Sequence, residues 1–292
     1  MLGLGCGRFG FDEARSSTPD AEAADAAIDA GPACDPVAPF GMPVPIAELN
    51  DAVAQDGTLR LAPDELTGYF WSRRAGRGQI YFAMRAALGA PFTIQPVTGL
   101  SATSHDLDPT MPTTGTKVLV YRRNGPGDDL WAATAVTDTD FTGAAALATL
   151  NSTATDAQPF MRPGTDELIY QSMRTGNGDL YVAMRTGPTT FTVPTKIGEL
   201  ATAAEEGDPV VSGDGLTLYF RSDAPAGALG GHNIYVSTRA DTSATWGAPD
   251  LVPNVNSTVE DGASALSSDG CRLYISSDRN GTNDIFVATR GS

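Results

Sequence analysis

Five segments of the chain carry one pattern at a nearly constant distance. Ile80-Tyr81-Phe82-Ala83-Met84-Arg85 returns as Leu130-Trp131-Ala132-Ala133-Thr134 and as Leu180-Tyr181-Val182-Ala183-Met184-Arg185. It returns again as Ile234-Tyr235-Val236-Ser237-Thr238-Arg239 and Ile285-Phe286-Val287-Ala288-Thr289-Arg290. The aromatic residues at 81, 131, 181, 235 and 286 are spaced 50, 50, 54 and 51. Extra residues in the turn Asp223 to Asn233 account for the long step. A chain that repeats at such a period stacks equivalent supersecondary units, so the period decides the fold before any local propensity does.

Three further strand signals surround each segment. An aromatic residue opens a short stretch at Phe40, Phe92, Phe141, Phe191 and Trp246. A first strand reads Thr58 to Ala62, Pro109 to Pro112, Pro159 to Arg162, Pro209 to Ser212 and Ser264 to Ser267. A second strand follows a tight turn, as Leu218-Tyr219-Phe220 follows Asp214-Gly215 and Leu273-Tyr274-Ile275 follows Asp269-Gly270. Asp-Gly supplies the positive φ that a hairpin turn needs. With 32 glycines and 20 prolines in 292 residues, the composition suits many short strands and turns. Four strands per unit, repeated radially, predict an all-β, five-bladed β-propeller, with six blades the alternative.

The units resemble the WD40-like repeats of TolB-type propellers. The resemblance rests on Asp208-Pro209-Val210-Val211-Ser212-Gly213-Asp214-Gly215-Leu216-Thr217-Leu218-Tyr219-Phe220 and on Ser267-Ser268-Asp269-Gly270-Cys271-Arg272-Leu273-Tyr274-Ile275. It covers residues 39–290 and is weakest in unit two, at Thr113-Thr114-Gly115. It implies protein partners in a cell envelope, without implying which one. A shared fold does not carry a shared activity.

The two ends predict how the ring closes. The chain stops after the third strand of unit five, and an orphan fourth strand, Phe40 to Ile46, precedes unit one. Placed outside the last blade, it completes a fifth sheet and covers an open edge. Cys34 lies just before this strand, and Cys271 opens the second strand of the last unit. Strands two and four of an antiparallel blade start at the same end, about 10 Å apart. A Cys34–Cys271 disulfide is therefore expected, in an oxidising compartment. The alternative is two unpaired thiols.

Residues 1–38 are read as a separate tail, leaving 39–292 as one propeller domain. The stretch Ser16 to Ala33 has one isoleucine and no aromatic residue, a composition that cannot offset ordering entropy. The start, Met1-Leu2-Gly3-Leu4-Gly5-Cys6, resembles the end of a bacterial lipoprotein signal, which makes Cys6 the acylated residue. Gly3 stands where leucine is usual and no basic segment precedes it; a start assigned too late accounts for both. The other reading is an incidental cysteine. The expectation is an extracytoplasmic, lipid-anchored monomer in a Gram-negative-type envelope. The membrane is met only through the anchor, because no apolar run is long enough to span one. A net charge of −16 repels a phosphate backbone and argues against nucleic-acid binding.

Chemistry has one repeated candidate. Asp56, Asp106, Asp156, Glu206 and Asp261 each stand five residues before the central apolar residue of a first strand. First strands line the axis of a propeller, so these acids should ring one mouth of the channel. They suit a cation such as calcium, or a cationic group on a ligand. The competing role is framework: each acid caps backbone N–H groups or bonds to the next blade, and recurrence in every unit favours this. No other cofactor or metal site is expected. Glycoside hydrolysis needs two carboxyls in unlike environments, whereas these five are near-equivalent. His105 and His232 are far apart and support neither a triad nor a metal site. Asp278 to Asp284 mimics a calcium loop, yet its counterparts in other units mark it as a hairpin turn. Arg85, Arg185, Arg239 and Arg290 are expected to pair with residues of the Asp129 type in neighbouring units. The leading function is a non-enzymatic module binding an envelope protein or glycan; the alternative is a carbohydrate-active enzyme or lectin working at the channel mouth.

Overall fold

The structure, a computed structural model, describes residues 34–291 except 114, 126 and 225–228. Residues 1–33 of the proposed tail, Cys6 among them, lie outside the described residues. Among the described residues, twenty strands make five four-stranded antiparallel sheets. Blade one is β2 (Asp56–Leu61), β3 (Thr67–Ser72), β4 (Gln79–Met84) and β5 (Thr93–Pro96). Blade two is β6 (Asp106–Thr110), β7 (Val118–Arg123), β8 (Asp129–Ala135) and β9 (Phe141–Ala146). Blade three is β10 (Asp156–Met161), β11 (Glu167–Ser172), β12 (Asp179–Met184) and β13 (Thr195–Lys196). Blade four is β14 (Glu206–Val211), β15 (Thr217–Ser222), β16 (Asn233–Thr238) and β17 (Asp250–Leu251).

Blade five is β18 (Asp261–Leu266), β19 (Arg272–Ser277) and β20 (Asp284–Thr289), completed by β1 (Val44–Pro45) from the other end of the chain. Val44 pairs with Val287 and Pro45 with Phe286, and Phe40 bridges Arg290. The first strands touch in ring order, and β18 touches β2. This is the five-bladed closure that the orphan strand implied, and Cys34 is disulfide-bonded to Cys271 with Cα atoms 6.0 Å apart.

Second-strand aromatics fill the space between blades. Phe70, Tyr121, Tyr170, Phe220 and Tyr274 are all buried, as interior-facing residues of alternating strands should be. The repeated arginine after the third strand has a different partner from the one expected. Arg85, Arg239 and Arg290 donate through Nε to the carbonyls of Glu65, Gly215 and Gly270, in the first hairpin of their own blade. Arg185 pairs with Asp166 in the same place. Asp129-type residues are out of reach because they open the third strand, and the arginines close it. Arg85, Arg239 and Arg290 also lie over Phe92, Trp246 and Phe40, at 4.6, 4.2 and 3.9 Å from the ring centres. In these three blades the aromatic residue before the outer strand is thus the platform for that arginine. Phe40 performs this task for a blade whose other strands lie more than 220 residues away in the chain.

Candidate functional site at the channel mouth

The five repeated acids open the first strands of the five blades, and all are buried. Each turns back into its own loop. Asp56, Asp106, Asp156, Glu206 and Asp261 accept the backbone N–H of Asp51, Ser101, Ser152, Thr202 and Ser257. Their own N–H groups donate to carbonyls of the preceding blade, at Asn283, Gly78, Asp128, Gly178 and His232. The acids therefore tie blade to blade around the whole ring.

Four of them also hold an arginine. Arg74, Arg174 and Arg279 approach Asp56, Asp156 and Asp261 at 2.7, 3.0 and 2.6 Å. Ser72, Ser172 and Ser277 hold the Nε of each arginine at 2.7–2.9 Å. In blade two, Arg123 takes the serine's place and reaches Asp106 directly at 2.7 Å. Blade four has Ala224 where the arginine would be. Its acid is the longer Glu206, which accepts the hydroxyls of Thr202 and, at 3.4 Å, Ser222. Burial without a cationic partner pushes the Glu206 carboxyl above its ordinary value, against the Thr202 hydrogen bonds that pull it down. Among the described residues, no group of three or more His, Cys, Asp or Glu side chains is placed to hold a metal ion.

The residue two positions after the acid is a different matter. Thr58, Asp108, Gln158 and Asp208 have φ of 46°, 50°, 53° and 46°, left-handed values that non-glycine residues rarely adopt. Each sits in a β-bulge, where the register of the first strand slips by a residue. A bulge turns a side chain out of its normal alternation. Here it points all four toward the axis, where they line a cavity of about 240 Å³. In three of the four, proline follows, and its missing N–H does no harm at a bulge.

The second strands supply the walls. Trp71, Arg122, Arg221 and Ser276 occupy one register position and also line the cavity. The Thr58 hydroxyl donates to Asp108 at 3.0 Å and accepts the Trp71 indole N–H at 3.2 Å. Arg122 lies 2.7 Å from Asp108, and Arg221 lies 3.4 Å from Asp208. Gln158 accepts the N–H of Asp208 at 2.9 Å. Gly262 leaves room for this arrangement, since a methyl there would sit 2.4 Å from the Asp208 carboxylate. Burial pushes the Asp208 carboxyl upward; Arg221 opposes the shift, and the Asp108 charge adds to it. Two carboxylates in unlike settings therefore exist, but they are not among the repeated acids. Of those, Asp261 reaches this cavity with one edge while its carboxylate holds Arg279.

The remaining candidates are local. His105 accepts the N–H of Gly78 at 2.9 Å. His232 lies between Glu260 and Glu205. Asp278 accepts Asn283 across the hairpin at 2.8 Å, as its turn role required.

No family model matches the chain, and no curated protein matches it either. Solved structures do resemble it. A protein described as a glycoside hydrolase aligns over 88% of this chain and 92% of its own, with TM-score 0.60 and 11% identity. A thermostable family-43 glycoside hydrolase aligns over 82% and 89%, with TM-score 0.55 and 11% identity. TolB from Acinetobacter baumannii aligns over 84% of this chain at TM-score 0.49 and 13% identity, and the chain spans 57% of that protein's length. At these identities the likeness is one of fold.

Proposed function

We propose that the protein is an extracytoplasmic propeller that binds a saccharide in the cup at the channel mouth. The observation that supports this is the quartet Thr58, Asp108, Gln158 and Asp208, held in left-handed bulges and facing one small polar cavity. Backbone strain of this kind costs about 1–3 kcal/mol per residue and persists where the surroundings enforce it, commonly at functional sites. Carboxylates, a carboxamide and guanidinium groups offer acceptors and donors in fixed planes, a set that matches the hydroxyls of a sugar. Trp71 supplies an apolar ring beside them. The Cys34–Cys271 bond supports an oxidising compartment. An anchor at Cys6 would complete the assignment to an envelope.

A second reading, glycoside cleavage, is favoured by the unlike environments of Asp108 and Asp208. Asp208, with its raised carboxyl, would be the proton donor and Asp108, held by Arg122, the second carboxylate. Two of the similar structures carry the description glycoside hydrolase. Calorimetry against a panel of envelope and plant-wall oligosaccharides, with aryl glycosides assayed in parallel, tests both. Binding without turnover, lost in Asp208→Asn and in Arg221→Met, supports the lectin-like reading. Turnover abolished by Asp208→Asn supports the hydrolase. A wild-type protein that takes up no sugar overturns both and returns the search to protein partners in an envelope extract.

A further inference from the structure

The opposite end of the channel, where the hairpins between first and second strands turn, opens on a second cavity of about 470 Å³. Its walls are largely apolar, with Leu61, Met111, Phe160, Met161 and Leu266 among them. At its base stands Arg60, a buried guanidinium on β2.

Arg60 is out of character with its position. The register places Thr110, Phe160, Val210 and Ala265 at the corresponding points of the other first strands. A framework position of this kind takes an apolar or small residue, and burying a cation there costs solvation that packing alone does not return. Arg60 also lacks the usual compensation. It donates to the carbonyls of Ser264 and, at 3.4 Å, Pro159, while its Nε has no partner. Among the described residues no carboxylate lies within 4 Å of it. Asp108 and Asp208 lie toward the other mouth, each already against Arg122 or Arg221. The Phe160 ring, 4.9 Å from the guanidinium carbon, covers one side. A guanidinium has five N–H donors, and the two carbonyls take up only two of them.

We propose that this cavity binds a small apolar carboxylic acid, such as a medium-chain fatty acid, with its carboxylate on Arg60 and its hydrocarbon between Leu61, Met111, Met161 and Leu266. The apolar walls recognise the chain and the buried cation recognises the head. A charge-assisted pair in a desolvated site is stronger than a neutral one. Burial pulls the Arg60 guanidinium down to about 10, so it keeps its charge at neutral pH. The site is separate from the saccharide cup, and neither proposal depends on the other.

Octanoate and its uncharged methyl ester are the probes, titrated into the full-length protein by calorimetry and followed at the methionine methyls by NMR. Octanoate should bind with a stoichiometry of one, shift the Met111 and Met161 signals, and bind at least tenfold tighter than the ester. Arg60→Met should remove that preference. Met111→Trp, which fills the cavity and leaves Arg60 in place, should abolish octanoate binding, and it decides the matter if Arg60→Met fails to fold. Equal affinity for acid and ester, no octanoate binding to wild type, or undiminished binding to Met111→Trp would each overturn the proposal.

Discussion

Opening the Cys34–Cys271 bond should cost the fold more than any single side chain does. The cysteines are 237 residues apart, so the bond constrains nearly the whole propeller in the unfolded chain. Loop-closure entropy for a ring of that size gives about 5.5 kcal/mol, an upper figure for measured disulfides. The native side of the balance is weak at the same place. The closing strand β1 makes only two paired positions, Val44 with Val287 and Pro45 with Phe286. Phe40 adds a bridge to Arg290 and accepts the Asn254 side chain at 2.8 Å. Losing the cross-link therefore raises unfolded-state entropy and leaves the ring closed by a short strand and the contacts of Phe40 with Arg290 and Asn254. At about 2–4 °C per kcal/mol for a domain of this size, the melting temperature should fall by roughly 10–20 °C. The assay is calorimetric melting of a Cys6→Ser background, oxidised and reduced, beside the same background carrying Cys271→Ala. Reduction should lower the first protein's transition to near that of the second and leave the second unchanged. Equal transitions with and without reductant would refute the reasoning, because they would mean that closure does not depend on the bond.

The repeated acids give contrasting expectations. Asp156→Asn removes the ion pair with Arg174 and an acceptor from Ser152, and should cost about 2–3 kcal/mol, less than a fully buried pair because Arg174 is partly exposed. Glu206→Gln breaks no ion pair and should cost under about 1 kcal/mol; urea midpoints that rank the two variants the other way would contradict the framework role. The Glu206 carboxyl is raised in the fold, so its contribution is complete below the unfolded value and lost as pH rises through the folded one. The stability of Glu206→Gln relative to wild type should accordingly improve from pH 4 to pH 7, and a pH-independent difference would count against it. Arg290→Ala removes the cation over Phe40 and the bonds to Gly270 and Tyr219, at an expected cost of about 2–3 kcal/mol. Limited proteolysis should then cut between residues 35 and 43 faster than in wild type; an unchanged rate would show that the arginine does not hold the closure.

The architecture was legible because a propeller writes its framework five times. The aromatic of each third strand and the aromatic at or before each outer strand recur at a nearly fixed period, the Asp-Gly turn marks units four and five, and each recurrence answers one packing need. The orphan strand and the cysteine pair followed from the same bookkeeping, since a ring of whole sheets leaves one strand to be supplied from the far end. What repetition concealed was the partner of each acid. Ser72-Arg73-Arg74, Ser172-Met173-Arg174 and Ser277-Asp278-Arg279 carry the answer in a serine and an arginine two apart. Blade two moves the arginine onto the serine's position and blade four dispenses with it, so the motif appears in only three units. Glu206, the one repeated acid that is not an aspartate, is the visible trace of that loss. The terminal arginines misled for a related reason: spacing shows that they recur but not that each folds back on its own hairpin.

Recurrence also directs attention to the wrong carboxylates. A residue needed by every blade must be nearly the same in every blade, and five near-equivalent groups cannot divide the roles of a binding site. A site on a pseudo-symmetric ring has to break the symmetry. Two positions after the constant acid the chain reads Thr58, Asp108, Gln158, Asp208 and Ala263, and one strand over it reads Trp71, Arg122, Gln171, Arg221 and Ser276. These positions share a place in the blade but not a chemistry, and all of them except Ala263 and Gln171 line the cup. Arg60 obeys the same rule at the other mouth, one cation in a ring of otherwise uncharged residues. In this fold the constant positions bear on the ring, and the positions where constancy fails while geometry is kept bear on the ligand. The bulged backbone joins the two, because the acid that locks a blade to its neighbour stands two residues from the side chain that the bulge turns into the channel.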